Sequence, residues 1–402
     1  MIVEILARHA DELAFLWFRR DAAAVAPHHD ARTLAALDER LDAHLDGLRI
    51  AGPQGLEISV AALDPEEPGS AFTVAVLAAE QASLEAMKPA LALADSPPVA
   101  RAVASALAWV PFAQAEKVLP ALLSPEAPPS HLFIGLSATA AHRKDPGAPL
   151  SWAVDHSDPR ARARALRAAG ELARADLLPA LRAQMRSPDE APRFWATWSC
   201  ALLGETAAFV ELWNIADTGS PHAERAASLA ARRGDPRDIR GHIEDLALSP
   251  RTARAALLAA EAFGDPALFP WLLDRMSTPA LARLAAEALS SISGAAIEGP
   301  LAGRPPEGFS AGPTDNPIDT GVTMDPDHHL PWPDIDALRT WCMSRERTFR
   351  RGARHLAGAP LTPSQVDTVL RTASQRRKSG AALESVLLRP GPLPEPRARD
   401  RR

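Results

Sequence analysis

The stretch "SPRTARAALLAAEAFGDPALFPWLL", residues 249–273, decides how this chain folds. An Ala/Leu-rich run follows Ser249-Pro250 and stops at Gly264; a second apolar run follows Asp265-Pro266. Proline in the first turn of a helix forfeits no hydrogen bond, and a Ser, Thr or Asp before it offers an oxygen to the unpaired N–H groups. Glycine just past a helix end enters the left-handed region without a Cβ penalty. The stretch therefore predicts a helix, a glycine turn and a second helix.

The same unit recurs as "SDPRARARALRAAGELARADLLPAL" (157–181), "SPDEAPRFWATWSCALLGETAAFVELW" (187–213), "SPHAERAASLAARRGDPRDIRGHI" (220–243) and "TPALARLAAEALSSISG" (278–294). Gly170, Gly204, Gly234, Gly264 and Gly294 set the period, at intervals of 34, 30, 30 and 30 residues. Asp158-Pro159, Ser220-Pro221, Ser249-Pro250 and Thr278-Pro279 mark the expected starts of first helices. Fainter copies stand at 96–110 and 127–142. One helix pair cannot bury its own apolar face, so six or seven such units predict a right-handed α-solenoid. Composition agrees: 38 prolines cut the chain into short helices, and no tyrosine with 5% aromatics is poor material for sheets.

The wording "A..AL..LGDP.L.P.L" resembles the HEAT repeat in its short bacterial form; the characteristic words of ankyrin and tetratricopeptide repeats are missing. The expected fold is an all-α, HEAT-like α-solenoid of helix pairs with atypical helical caps at both ends. Its expected organisation is a helical cap over 1–90, repeats over 91–298, a Pro/Gly-rich loop over 299–333, a C-terminal helical segment over 334–390 and a basic disordered tail over 391–402. In the cap, 3–26 and 33–51 read as two amphipathic helices. In the C-terminal segment, "LTPSQV" opens a helix with Thr362 as cap, Pro363 in the first turn and Gln365 completing a capping box.

A net charge of −6 on 402 residues argues against a dedicated nucleic-acid protein. Charge is unevenly spread: residues 1–150 carry 11 basic and 19 acidic side chains, 339–402 carry 15 and 5. Cys200 and Cys342 have no disulfide or zinc spacing, and no run approaches 18 apolar residues, so a cytoplasmic protein is expected. Nucleophile elbows, Gly-rich phosphate loops and HExxH are all missing, so no catalytic, cofactor-binding or metal-binding residues and no cofactor are expected.

Four features look like chemistry or binding. In "LDERLDAHLDGLRIAG" (37–52), Asp38, Asp42 and Asp46 share one side of a helix while His44 lies beside the leucines, so the four cannot meet; the acids are expected to face solvent. "DPDHHLPW" (325–332) places Asp325, Asp327, His328 and His329 together, but without a second cluster it reads as a solvated loop. Trp195, Trp198, Trp213 and Trp271 read first as core between repeats; any left exposed become interface anchors. Arg345, Arg347, Arg350, Arg351 and Arg354 form a basic cluster where a salt-dependent contact is sought. These nine residues are the candidate partner-binding set.

"ELAFLWFRR" (12–20) with residues 37–52, "RFWATWSCALLG" (193–204) and the C-terminal pattern over 330–384 resemble a family of bacterial HEAT-repeat proteins of uncharacterised function. Its members are often encoded near type VI secretion components. The resemblance implies a protein-binding adaptor or chaperone whose client is a secreted effector or spike component; charge and hydropathy, separately, argue against nucleic acid and a membrane as partners. Two other classes stay open: a nucleic-acid-binding solenoid, which requires the arginines of 160–167, 232–240 and 345–354 to converge, and a lyase-like enzyme, suggested by the similar short repeats of phycobilin lyases.

Overall fold

The computed structural model describes residues 3–313, 318 and 324–395. Parts of the predicted loop (314–317 and 319–323) and of the predicted disordered tail (396–402) lie outside the described residues. The chain divides into two compact units, Met1–Gly204 with Arg389–Arg402, and Glu205–Leu388. Among the described residues both are helical, apart from a two-stranded antiparallel hairpin in the second unit, β1 (His355–Leu356) with β2 (Ala359–Pro360). The fold is an all-α solenoid of helix pairs.

The first unit contains α1 (Val3–Ala23), α2 (Ala31–Ile50), α3 (Pro53–Ala61), α4 (Pro68–Glu80), α5 (Leu84–Ala92), α6 (Pro97–Trp109), α7 (Phe112–Ala115), α8 (Leu119–Leu122), α9 (Pro129–Ala141), α10 (Ala148–Ala153), α11 (Pro159–Glu171), α12 (Leu178–Gln184) and α13 (Glu190–Leu202). The row α4, α6, α9, α11, α13 packs neighbour on neighbour, so each apolar face is covered by the next. α1 and α2 close the N-terminal end, where Trp17 stacks on Phe72 at 6.1 Å and Phe72 meets the Trp109 edge at 5.8 Å. Of the tail, Leu393 is buried and its N–H donates to the Glu171 carbonyl at 2.9 Å.

The second unit contains α14 (Thr206–Asp217), α15 (Ala223–Ala230), α16 (Pro236–Leu246), α17 (Ala253–Phe263), α18 (Phe269–Arg275), α19 (Pro279–Ser293), α20 (Ile335–Ser344), α21 (Pro363–Thr372) and α22 (Gln375–Leu388). The first-helix row α15, α17, α19 repeats the stacking seen in the first unit.

Helix ends follow the predicted chemistry with instructive exceptions. Asp158 accepts from the Ala161 N–H at 2.8 Å, and Asp235 and Asp265 cap the second helices of their units. Ser220-Pro221 and Ser249-Pro250 do not open helices: α15 begins three residues after Ser220 and α17 four after Ser249, because Ser-Pro forms a turn that delivers the chain to the helix. Thr362 caps α21, but the Gln365 side chain donates to the Leu356 carbonyl at 2.9 Å instead of returning to the cap, tying α21 to the hairpin.

The glycine period also divides into two physical roles. Gly264 and Gly294 end α17 and α19 in the left-handed region at φ 72° and 75°. Gly170 lies inside α11, and Ala173 takes the left-handed position three residues later. A Cβ on Gly170 would stand 2.9 Å from Ser199 Cα on α13, with the Ser199 hydroxyl oxygen nearer still, so glycine serves helix approach rather than helix ending. Gly170→Ala is expected to cost about 1–3 kcal/mol by forcing α11 from α13. Urea unfolding measures it, and an unchanged midpoint would reject the crowding argument.

The opening cap corrects one expectation. Asp38 is not turned to solvent: it is buried and paired with Arg20 at 2.9 Å. Asp46 is exposed beside Arg49, which also holds Glu80 at 2.5 Å and joins α2 to α4. His44 meets His9 on α1, Nδ1 to Nδ1 at 3.0 Å. Burial, then the neighbouring His9, lowers the His44 pKa below its ordinary 6.5. The folded ring stays neutral where the unfolded ring takes a proton, so stability falls as the pH drops below about 6.5. Between pH 7.5 and 5.5 the wild type is expected to lose more stability than His44→Gln; equal losses would contradict this reading.

Candidate protein-binding surface

The four candidate tryptophans occupy different environments. Trp198 and Trp213 are buried, the latter stacked on His242 with ring centroids 4.5 Å apart. Trp195 is half-buried, with the Arg167 guanidinium 4.5 Å above its ring and Trp198 at its edge. Trp271 is half-buried on α18, flanked by Arg275 at 5.9 Å.

The arginines also separate. Arg354 donates to the carbonyls of Ala262 (2.7 Å), Phe263 (3.0 Å) and Arg232 (3.0 Å), and pairs with Glu384. Carbonyls in a helix's last turn have no partner within the helix and carry the negative end of its dipole, so a guanidinium there satisfies both needs. Glu384, only 2% exposed, also pairs with Arg232, whose side chain is largely shielded. Arg354 is thus a structural pin that fastens the C-terminal segment to α15 and α17. The sequence signal for this role was weak, since Arg354 sits in a run of similar arginines.

"DPDHHLPW" is another such fastening, not a solvated loop. Asp327 is 2% exposed and pairs with Arg254 of α17, with Arg376 of α22 at 3.8 Å. Asp325 pairs with Arg283 of α19 at 2.8 Å, and that guanidinium lies 4.9 Å from the Trp332 ring and 5.5 Å from Phe309. The carboxylates of the motif are therefore committed to cations. Among the described residues no group of three His, Cys, Asp or Glu could hold a metal ion.

Most of the arginines needed for a phosphate track are committed in the same way. Arg162 pairs with Asp189, Arg164 and Arg167 with Glu171, Arg232 with Glu384, and Arg240 with Asp265. Guanidinium groups already neutralised by internal carboxylates release few counterions on meeting nucleic acid.

Among the described residues a different surface is open on the second unit. α18 and α20, with residues 346–351, enclose a cleft of about 480 Å³. Its apolar lining comes from Pro266, Phe269, Pro270 and Leu273 on one side and from Cys342, Met343 and Phe349 on the other. Phe349 anchors the second wall, edge-on to Phe269 at 5.3 Å and 6.3 Å from Trp341. Burial pushes the Cys342 thiol up to about 11, so it presents a neutral apolar group. Met343 is 73% exposed at the edge. Sequence reasoning passed over Met343, Phe349 and Phe269 because none carries a motif; their signal lies only in the pairing of α18 with α20.

The charged rim holds Arg339, Arg351, Asp274 and Glu346. Arg339 pairs with Asp336 and Arg351 with Glu346, all well exposed. Arg345 lies over the Trp341 ring at 4.5 Å. Arg347 and Arg350 are exposed and have no carboxylate partner among the described residues. From Ile335 to Gly352 there are five arginines against two acids, Asp336 and Glu346, a local excess of three positive charges.

No curated protein matches the chain. Residues 148–233 match the family model described as HEAT repeats, so α10–α15 are similar to HEAT helix pairs, in keeping with the all-α solenoid.

Proposed function

We propose that this chain is a protein-binding scaffold without catalytic activity, and that the cleft between α18 and α20 is one of its contact surfaces. The observation that carries this reading is an apolar cleft beside exposed arginines that have no carboxylate partner among the described residues, whereas the buried Glu384 and Asp327 are each paired with an arginine. HEAT-like solenoids present extended surfaces of packed helices, which suit protein partners better than small molecules. No helix among the described residues is long and apolar enough to cross a membrane. A cytoplasmic adaptor is the form of this function that we favour.

The resemblance of the N-terminal block and of the C-terminal pattern to proteins encoded near type VI secretion components supports a finer reading, in which the client is an effector or spike component held before export. Affinity purification from the native cell, followed by mass spectrometry, tests both levels. The scaffold reading expects a protein recovered with the wild type and depleted with Met343→Asp. The finer reading also expects that protein to be a secretion component. If no protein co-purifies above a mock control, the scaffold reading fails.

A further inference from the structure

We infer that the α18/α20 cleft takes an acidic amphipathic helix, with a few large apolar side chains seated between Phe269, Leu273 and Met343 and its carboxylates against Arg347 and Arg350. This rests on the scaffold reading and adds the chemistry of the partner. Three observations carry it.

The first is the lining. Pro266, Phe269, Pro270, Leu273 and Phe349 give apolar area with few polar groups, which suits hydrophobic anchors and offers little to orient a polar small molecule. The second is the backbone. Both main walls are helices, α18 and α20, and no residue of the β1–β2 hairpin lines the cleft. A peptide burying apolar side chains between two helices meets no strand to pair with, so it satisfies its own N–H and C=O groups best by being helical.

The third is charge. Arg347 and Arg350, neighbours in sequence of the lining residues Glu346, Phe349 and Arg351, are exposed with no carboxylate partner among the described residues, and the segment 335–352 carries an excess of three positive charges. An acidic ligand is drawn to such a rim; a basic one is repelled. The chain's own C-terminal sequence, "RARDRR" (397–402), has the wrong sign to be the occupant. Arg345 lies over Trp341 and Arg351 pairs with Glu346, so these two arginines already have contacts of their own.

The test is to pan a phage-displayed library of amphipathic helical peptides, acidic and basic members mixed, against the full chain. Winners are then measured by fluorescence anisotropy against wild type, Met343→Asp and the double variant Arg347→Glu/Arg350→Glu. All three substitutions are on exposed side chains, and far-UV circular dichroism with thermal unfolding checks that the variants fold. Because Cys200 is buried, Cys342 is the thiol that reports on the cleft, and its alkylation by N-ethylmaleimide is followed with and without bound peptide.

The expected result is enrichment of net-acidic peptides that bind at least tenfold more weakly to both variants, lose affinity with added salt and slow the alkylation of Cys342. Basic winners, or acidic winners that neither respond to the variants nor protect Cys342, overturn the proposal while leaving a scaffold that binds elsewhere. Enrichment of nothing overturns it as well, and co-purification then decides the scaffold reading separately. Mixed-sequence RNA bound through the same arginines, or a change of oligomeric state in the double variant, replaces the acidic helix with nucleic acid or a second copy and also overturns it.

Discussion

Replacing Glu384 by alanine is expected to destabilise the Glu205–Leu388 unit by about 3–5 kcal/mol. The carboxylate is buried between Arg232, whose side chain is itself 8% exposed, and Arg354. Truncating it leaves Arg232 charged, desolvated and unpaired, and removing one partner of a buried pair costs far more than the pair contributes. Arg354 suffers less, because three backbone carbonyls still receive its N–H groups. Glu384→Gln keeps the shape and some hydrogen bonding, so its loss is expected to be smaller. The double variant Arg232→Met/Glu384→Leu removes both charges and is expected to be more stable than Glu384→Ala. Urea unfolding with hydrogen exchange over 223–293 and 363–388 checks the ranking. If the double variant is no better than the single, the cost lies in packing and not in the stranded charge.

That prediction arises where sequence reading had least purchase. The repeat was legible because it depends on local chemistry: Asp158 caps, Gly264 ends a helix, and a 30-residue period forces helix pairs to stack. What escaped was pairing over long sequence separations. Arg354 reads as one of five similar arginines, yet its partner Glu384 is 30 residues away and Arg232 is 122 residues away. Asp327 reads as a possible metal ligand until Arg254, 73 residues earlier, is seen beside it. Gly170 kept the period of the helix-ending glycines while doing something else, because an approach of two helices has no signature in one of them. The surface was legible only in part. Arg347 and Arg350 stand exposed as a basic cluster suggests, whereas the apolar cleft beside them is assembled from three segments that share no motif.

Glu171 is the second place where one carboxylate carries much of the local energetics, and pH makes it directly testable. Its side chain is buried at the end of α11, 2.8 Å from Arg164 and 2.8 Å from Arg167. Burial alone would raise its pKa; the charges of Arg164, Arg167 and Arg143 together outweigh burial and lower it from 4.5 to about 2. Because the folded value lies below the unfolded one, the stabilisation is fully present above about pH 4.5 and is lost as the pH falls toward 2. Glu171→Gln imitates the protonated carboxyl and leaves Arg164 buried against a neutral group, so it is expected to cost about 3 kcal/mol at pH 7. The gap between wild type and variant should then narrow through pH 4.5 to 2, as the wild type itself becomes protonated. Glu85→Gln supplies the control: that residue is exposed in an i,i+3 pair with Lys88, and the change is expected to stay within about 0.5 kcal/mol at every pH. Urea midpoints of the three proteins at pH 7, 4 and 3 make the comparison. A gap that stays constant with pH would mean that glutamine disturbs packing at α11 and that the arginine pairs contribute little.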